Sequence, residues 1–363
     1  MCRRLLKAAL ALSVSAVAFS VVSPAKAATV IDTKSNSAAN RLVNTQQING
    51  SWTGDPNYAD YQGPVVCGLI RAFSESNNSS YKTAAEGGAN YIMAHSSPNY
   101  LGDEAFALMC VSNVQANPNA NAYRTAATVY YNGTISGGAG GTNAYINNLV
   151  SQYTSAYNEQ SQAVIYLAYH TMAADECNAT DKAIWRQKLI DTLGNVDDND
   201  YFPVGALGVS VCALAQTGNG LSAATTITGS STVLNGMNLS QLPGLLANQI
   251  VASGPGANNF YYDFGHTGSG YTEDAAFALM GLEEANAKLG LGYGSMILNG
   301  QMALTGAVDA NGVAYVDVSQ TAPSYNLYAG RFLSAVPEPS SAALILFGLT
   351  ALAARRRRQQ LGA

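Results

Sequence analysis

The chain has 363 residues, 11% of them charged and 48% hydrophobic, with 35 glycines and 21 tyrosines. So little charge excludes a coiled coil or a charge-rich disordered chain, and the apolar fraction is ample for a large core. The net charge of −5 conceals a more acidic middle: residues 28–334 hold 22 acidic and ten basic side chains, near −12, which excludes a protein that binds nucleic acid by neutralising phosphates.

The N-terminus reads Met1-Cys2-Arg3-Arg4, then an apolar run over residues 5–22, then Ala25-Lys26-Ala27. A basic start, an apolar stretch and a small-x-small cleavage site make a secretory signal peptide, expected to occupy residues 1–27 and to be removed by signal peptidase. Removal takes Cys2 away and leaves Cys67, Cys110, Cys177 and Cys212. An even number in an exported chain permits two disulfides; small buried core thiols are the alternative.

Residues 28–334 read as one all-α domain. The frame Tyr-x-x-Asp-x-Ala-Phe-Ala-Leu-Met occurs at 100–109 and returns at 271–280. Weaker echoes lie at 63–70, 162–168 and 203–213. Each follows a loop rich in Gly, Tyr or Asn and becomes apolar nearly all round, the pattern of a buried helix. Gly205, Gly208, Ala213 and Gly281 are small enough for close helix packing. Buried helices are expected to start near residues 63, 102, 159, 203, 272 and 324. Between them, residues 81–95, 181–193 and 239–252 have a more amphipathic pattern; in the second, Ile184, Leu189 and Leu193 fall near one face. Residues 313–319 alternate at period two, as a short strand does.

Alternation of buried and half-exposed helices, at steps of roughly 40–60 residues, suggests hairpins closed into a double ring. Six such pairs resemble the (α/α)6 toroid of terpenoid cyclases, protein prenyltransferases and several polysaccharide lyases and glycosidases. An irregular helical solenoid is the alternative. In a toroid neighbouring inner helices run parallel, so Cys67 with Cys110 and Cys177 with Cys212 is the easiest pairing.

The chemistry-bearing residues divide into several groups. Asp197-Asp198-Asn199-Asp200 invites comparison with the metal-binding motif of terpenoid cyclases, but Tyr201 stands where the last aspartate is needed, so a solvated acidic turn is the simpler reading. No metal-ligand set and no cofactor motif is apparent, and hydrolase elbows, His-Glu-x-x-His helices and phosphate-binding glycine loops do not occur. Asp103, Glu104, Glu273 and Asp274 sit at helix starts, where carboxylates satisfy free N–H groups. Inner-helix N-termini share one rim of a toroid, so the same carboxylates could also surround a cleft and act as acid and base, with Tyr100, Tyr201, Tyr261, Tyr262 and Tyr271 stacking on sugar rings. His95 and His170 read as structural. His266 lies in the Gly- and aromatic-rich loop 258–270 before the repeated helix, which makes His266, Glu273 and Asp274 the catalytic candidates, Asp263 a secondary one, and Tyr261 and Tyr262 the ligand-binding candidates.

The C-terminus, 335–363, carries Pro337-Glu338-Pro339, an apolar stretch over 342–354 and then Arg355, Arg356, Arg357 and Arg358. This arrangement resembles the PEP-CTERM sorting signal of Gram-negative bacteria. The resemblance implies recognition by an exosortase-type membrane enzyme, transient anchoring by a C-terminal transmembrane helix, and release or attachment at the cell surface, in company with exopolysaccharide or biofilm matrix. Two functions follow as expectations: a matrix-associated scaffolding or carbohydrate-binding protein, or a polysaccharide-degrading lyase or glycoside hydrolase with its cleft at the toroid rim. The scarcity of basic side chains argues for a neutral rather than an acidic polymer.

Overall fold

A computed structural model of the chain describes residues 24–336 apart from 54–61, 96–101, 115–119, 158, 255, 269 and 321–323. The apolar run 5–22, the Pro-Glu-Pro motif, the stretch 342–354 and the four arginines lie outside the described residues, so the signal-peptide and transmembrane expectations are not addressed there. Among the described residues no helix is long and apolar enough to cross a membrane.

Thirteen α-helices account for most of the described chain. Six are apolar and buried: α2 (Gln62–Ser76), α4 (Gly102–Ser112), α7 (Gln160–Cys177), α9 (Pro203–Gln216), α11 (Thr272–Leu289) and α13 (Asn326–Ala335). Their starts follow the spacing read from the sequence. Every residue of α9 from Pro203 to Ala215 is buried, as is α7 from Ala163 to Ala174, so neither helix has a solvent face. These six pack in chain order, α2 on α4, α4 on α7, α7 on α9, α9 on α11 and α11 on α13, and α13 returns to pack on α2. The contacts therefore form a cycle.

The remaining helices pack against members of this cycle: α1 (Pro24–Thr45), α3 (Ser79–His95), α5 (Ala120–Val129), α6 (Gly141–Tyr157), α8 (Lys182–Leu193), α10 (Leu242–Ala247) and α12 (Gly294–Leu304). Helix α1 runs through the expected cleavage point after Ala27 and buries Ile31, Ala38 and Leu42 beneath it. On α8 the inward face centres on Trp185, fully buried with Leu189 and Leu193, while Ile184 is half-buried. Trp185 stacks on His170, whose Nδ1 lies 2.8 Å from the Tyr131 hydroxyl. Burial pushes the His170 pKa down to about 3, so this histidine is neutral and structural.

Two local expectations are corrected. Residues 239–252 form only a 3-10 turn (Leu239–Gln241) and the short α10, because Ile250 pairs with Phe260 in an isolated antiparallel bridge instead of continuing the helix. Residues 313–319 form no strand. Ala314 and Tyr315 each make a single bridge, to Val308 and Ser324, and the ladder has no third residue to extend it.

Helices α9 and α11 approach closely at glycines. A Cβ on Gly208 would sit 2.5 Å from the Ala278 amide nitrogen, and one on Gly281 would sit 2.3 Å from the Gly208 carbonyl oxygen. The obstacle is backbone in both cases and cannot rotate aside. Gly208→Ala is therefore expected to destabilise the fold by about 1–3 kcal/mol, although alanine is the better helix former by about 1 kcal/mol. Urea unfolding at a constant slope measures this; an unchanged or raised midpoint would contradict the packing.

Candidate functional site

The N-terminal turns of the six buried helices open on one cavity of about 540 Å³. All six contribute to its wall, directly or through the residue just before the helix. Its base holds Asp103 of α4, Tyr169 of α7, Glu273 of α11 and Arg331 of α13. Its walls are aromatic: Trp52 precedes α2, Tyr166 belongs to α7, Tyr201 and Phe202 precede α9, and Tyr325 and Tyr328 open α13. Glu159, the residue before α7, adds a third carboxylate.

Arg331 organises the base. Its Nε donates to Glu273 Oε1 at 2.9 Å, its Nη1 donates to the Tyr169 hydroxyl at 2.6 Å, and its Nη2 lies 3.6 Å from Asp103 Oδ2. The guanidinium carbon lies 4.7 Å from the Phe277 ring centre and 5.1 Å from that of Tyr169, so aromatic faces cover it as well. Burial disfavours its charge, but Tyr169, Glu273 and Asp103 more than compensate and hold it protonated. Asp103 is 1% exposed, and burial raises its pKa despite the nearby guanidinium. Its Oδ1 is buried with no hydrogen-bond partner. Burial, and then the charge of Asp200, raises Glu159 too.

One wall residue is strained. Phe202 has a φ of 60° and ψ of 41°, the left-handed region that a bulky side chain rarely adopts, immediately before Pro203 opens α9. Such a conformation costs about 1–3 kcal/mol and here places the ring on the cavity wall against Tyr201, Tyr262 and Tyr271.

The residues singled out from sequence are distributed unevenly around this cavity. Glu273 and Tyr201 line it. Asp274 does not: its Oδ2 accepts the Tyr271 N–H at 2.9 Å as a helix cap, and burial raises its pKa well above the ordinary value. His266 has a φ of 61°, stacks on Tyr261 at 4.1 Å and lies 3.1 Å from Gln249 Oε1, so His266 and Tyr261 satisfy each other away from the cavity wall. Tyr262 packs behind the wall, edge-on to Tyr201 and Tyr271, and burial raises its pKa to about 12. Tyr100 lies outside the described residues. Asp263 accepts from the Thr267 backbone and hydroxyl and so shapes its own loop. The acidic turn 197–200 is a backbone clamp: Asp198 accepts the Phe264 N–H at 2.7 Å, and Asp200 accepts those of Gln160 and Asp197.

Among the described residues Cys67, Cys110, Cys177 and Cys212 are free thiols. The Cys67 and Cys110 sulfurs, on adjacent buried helices, lie 4.0 Å apart, about twice the length of a disulfide bond. Cys177 donates to the Ala173 carbonyl and Cys212 accepts from Gln216, so each of these has a partner on its own helix.

The sequence reading did not assign Arg331, Tyr169, Trp52 or Glu159 to a site. Arg331 left a signal, since it is a lone basic residue inside a buried helix, and such a charge requires partners.

The family description "PEP-CTERM protein-sorting motif" matches residues 335–358. The chain thus carries the PEP-CTERM sorting motif, a signal that exosortases recognise and that indicates an exported protein of the cell surface or extracellular space. The match covers the tail and leaves the helical domain unassigned. A comparison with curated proteins finds no match.

Arg331→Met should destabilise the fold by about 3–5 kcal/mol near neutral pH, because buried Asp103 and half-buried Glu273 would lose their counterion. Asp103 already has a folded-state pKa above its unfolded value, so its burial favours folding at low pH and opposes it as pH rises through the folded pKa. The deficit of the variant should therefore shrink toward acidic pH. Thermal unfolding of both proteins across pH 4–8 tests this, and a pH-independent difference would refute the ionic account.

Proposed function

We propose that this protein is an exported glycan-binding protein of the cell surface or matrix, built as an (α/α)6-type toroid that presents one sugar-sized cavity at the N-terminal rim of its inner helices. The cyclic order of helix contacts supports the toroid. The single observation that carries the binding reading is the composition of that cavity. Aromatic faces alternate with a few convergent polar groups, as in sites that hold a ring by its apolar face and orient it through its hydroxyls. The surface-directed tail supports an extracellular polymer as the partner. In this reading signal peptidase cuts after Ala27, the stretch 342–354 anchors the protein transiently, and exosortase removes the anchor. The retained domain then associates with exopolysaccharide.

A second reading, glycoside hydrolysis, is favoured by one observation: Asp103 and Glu159, both on the cavity wall, have carboxyl groups with raised pKa, the property required of a general acid. Glu273 would be the further carboxylate. His266 and Asp274 have no direct role in it, since neither lines the cavity.

Three experiments test these readings. Replacing both Pro337 and Glu338 by alanine should leave the protein in the inner membrane with its arginine tail intact; normal surface delivery would overturn the processing scheme. Tyr201, 54% exposed, can be removed with little risk to the fold, so Tyr201→Ala should weaken retention on the producing cell's exopolysaccharide about tenfold with an unchanged melting curve. Retention at the wild-type level would remove the cavity from the binding reading, whereas reducing ends released by the wild type but not by Asp103→Asn would establish hydrolysis. Finally, oxidation on export is expected to join Cys67 to Cys110, so alkylation of the native protein followed by mass measurement should label two thiols; four labelled thiols would exclude any disulfide.

A further inference from the structure

The polar groups of the cavity are unbalanced in two respects, and both bear on which sugar it takes. This inference rests on the glycan-binding reading above.

The first imbalance is charge. Asp103, Glu159 and Glu273 line the wall against a single cation, Arg331. That cation is not free to meet a ligand: Nε and Nη1 are donated to Glu273 and Tyr169, Nη2 faces Asp103, and aromatic rings cover the guanidinium. Helix starts also bring partial positive charge to this rim, but on two of them it is met by carboxylates off the wall. Asp274 accepts the Tyr271 N–H before α11, and Asp200 accepts the Gln160 N–H that begins α7. The wall carboxylates are left in excess.

The second observation is an unmet acceptor. Gln62 Nε2 and Asn326 Nδ2 each donate to backbone, to the Trp52 and Thr53 carbonyls. Asp103 Oδ1, on a residue that lines the cavity, is buried without a hydrogen-bond partner. A wall with three carboxylates, one of them with an unmet oxygen, suits a ligand group that brings both donors and positive charge. A primary ammonium has three donors, no acceptor and a positive charge, and the surrounding Trp52 and tyrosine faces attract cations as well. An N-acetyl group offers no charge to these carboxylates, and a uronate adds a further carboxylate to a wall that already holds three against one paired cation.

We propose that the cavity selects sugar units bearing a free, protonated amine, such as the 2-amino-2-deoxyhexose of a de-N-acetylated polysaccharide, over the N-acetylated unit and over uronates.

Calorimetric titration of the full-length protein at low salt and about pH 6, where a sugar amine is protonated, tests this. The probes are the glucosamine tetramer, the N-acetylglucosamine tetramer, a tetrauronate and tetralysine. The glucosamine tetramer should bind at least tenfold tighter than its N-acetylated counterpart and lose affinity as salt is raised, and the tetrauronate should give no heat. Glu159→Gln, at a half-buried position outside the Arg331 cluster, should narrow the preference while the protein stays folded; Asp103→Asn should narrow it further. Equal or tighter binding of the N-acetylated tetramer would overturn the amine preference and leave the glycan-binding reading standing. Binding of tetralysine as tightly as the glucosamine tetramer would reduce the site to a general cation trap and overturn the sugar assignment. If no oligosaccharide binds, the glycan-binding reading itself falls, and this inference with it.

Discussion

A fully enclosed arginine determines how the last buried helix meets the others. Moving a guanidinium out of water costs several kcal/mol even after relaxation, so Arg331 is tolerable only where anionic and dipolar partners converge on it. Those partners come from three other helices: Glu273 from α11, Asp103 from α4 and Tyr169 from α7. Apolar surfaces alone would allow α13 several rotations and heights against its neighbours. Sliding it by one residue, about 1.5 Å with a turn of about 100°, would carry the guanidinium away from all three. The same ion cluster thus closes the cycle of helices and forms the base of the cavity.

Repetition in the chain supplies the setting for that ion. The two copies of the Tyr-x-x-Asp-x-Ala-Phe-Ala-Leu-Met frame begin α4 and α11, and their phenylalanines converge on one residue: Phe106 and Phe277 both pack against the Tyr169 ring, at 5.7 and 6.2 Å. Asp274 accepts the Tyr271 N–H at the start of its helix, and Asp103 faces Arg331 on the cavity wall.

The loops before the buried helices divide between wall and support. Tyr201 and Phe202 reach the cavity, and the edge-on rings of Tyr262 and Tyr271 pack against the Phe202 ring. Asp198, Asp200 and Asp263 spend their oxygens on backbone N–H groups of the same loops. The loop rich in glycine and aromatics that precedes α11 is in this sense a buttress. It steadies Tyr201 and Phe202 through Tyr262 and contributes only Glu273, at its helical end, to the wall.

The sorting signal and the buried helices are legible in the linear sequence. A sorting tail is read in linear order, so Pro337-Glu338-Pro339, an apolar stretch and four arginines are legible without a fold. Burial on all sides leaves an equally local trace, which is why segments such as 203–213 declare themselves as buried helices and why their starts could be placed. Which chemistry-bearing residues meet depends on tertiary packing. Tyr261 and His266 looked like a site because glycines and aromatics cluster around them, but they stack on each other; Glu159, Asp103 and Arg331, far apart along the chain, share one cavity. Local pattern reports how a residue sits on its own helix. Convergence of six helix starts depends on α13 returning to pack on α2, a contact between segments more than 200 residues apart.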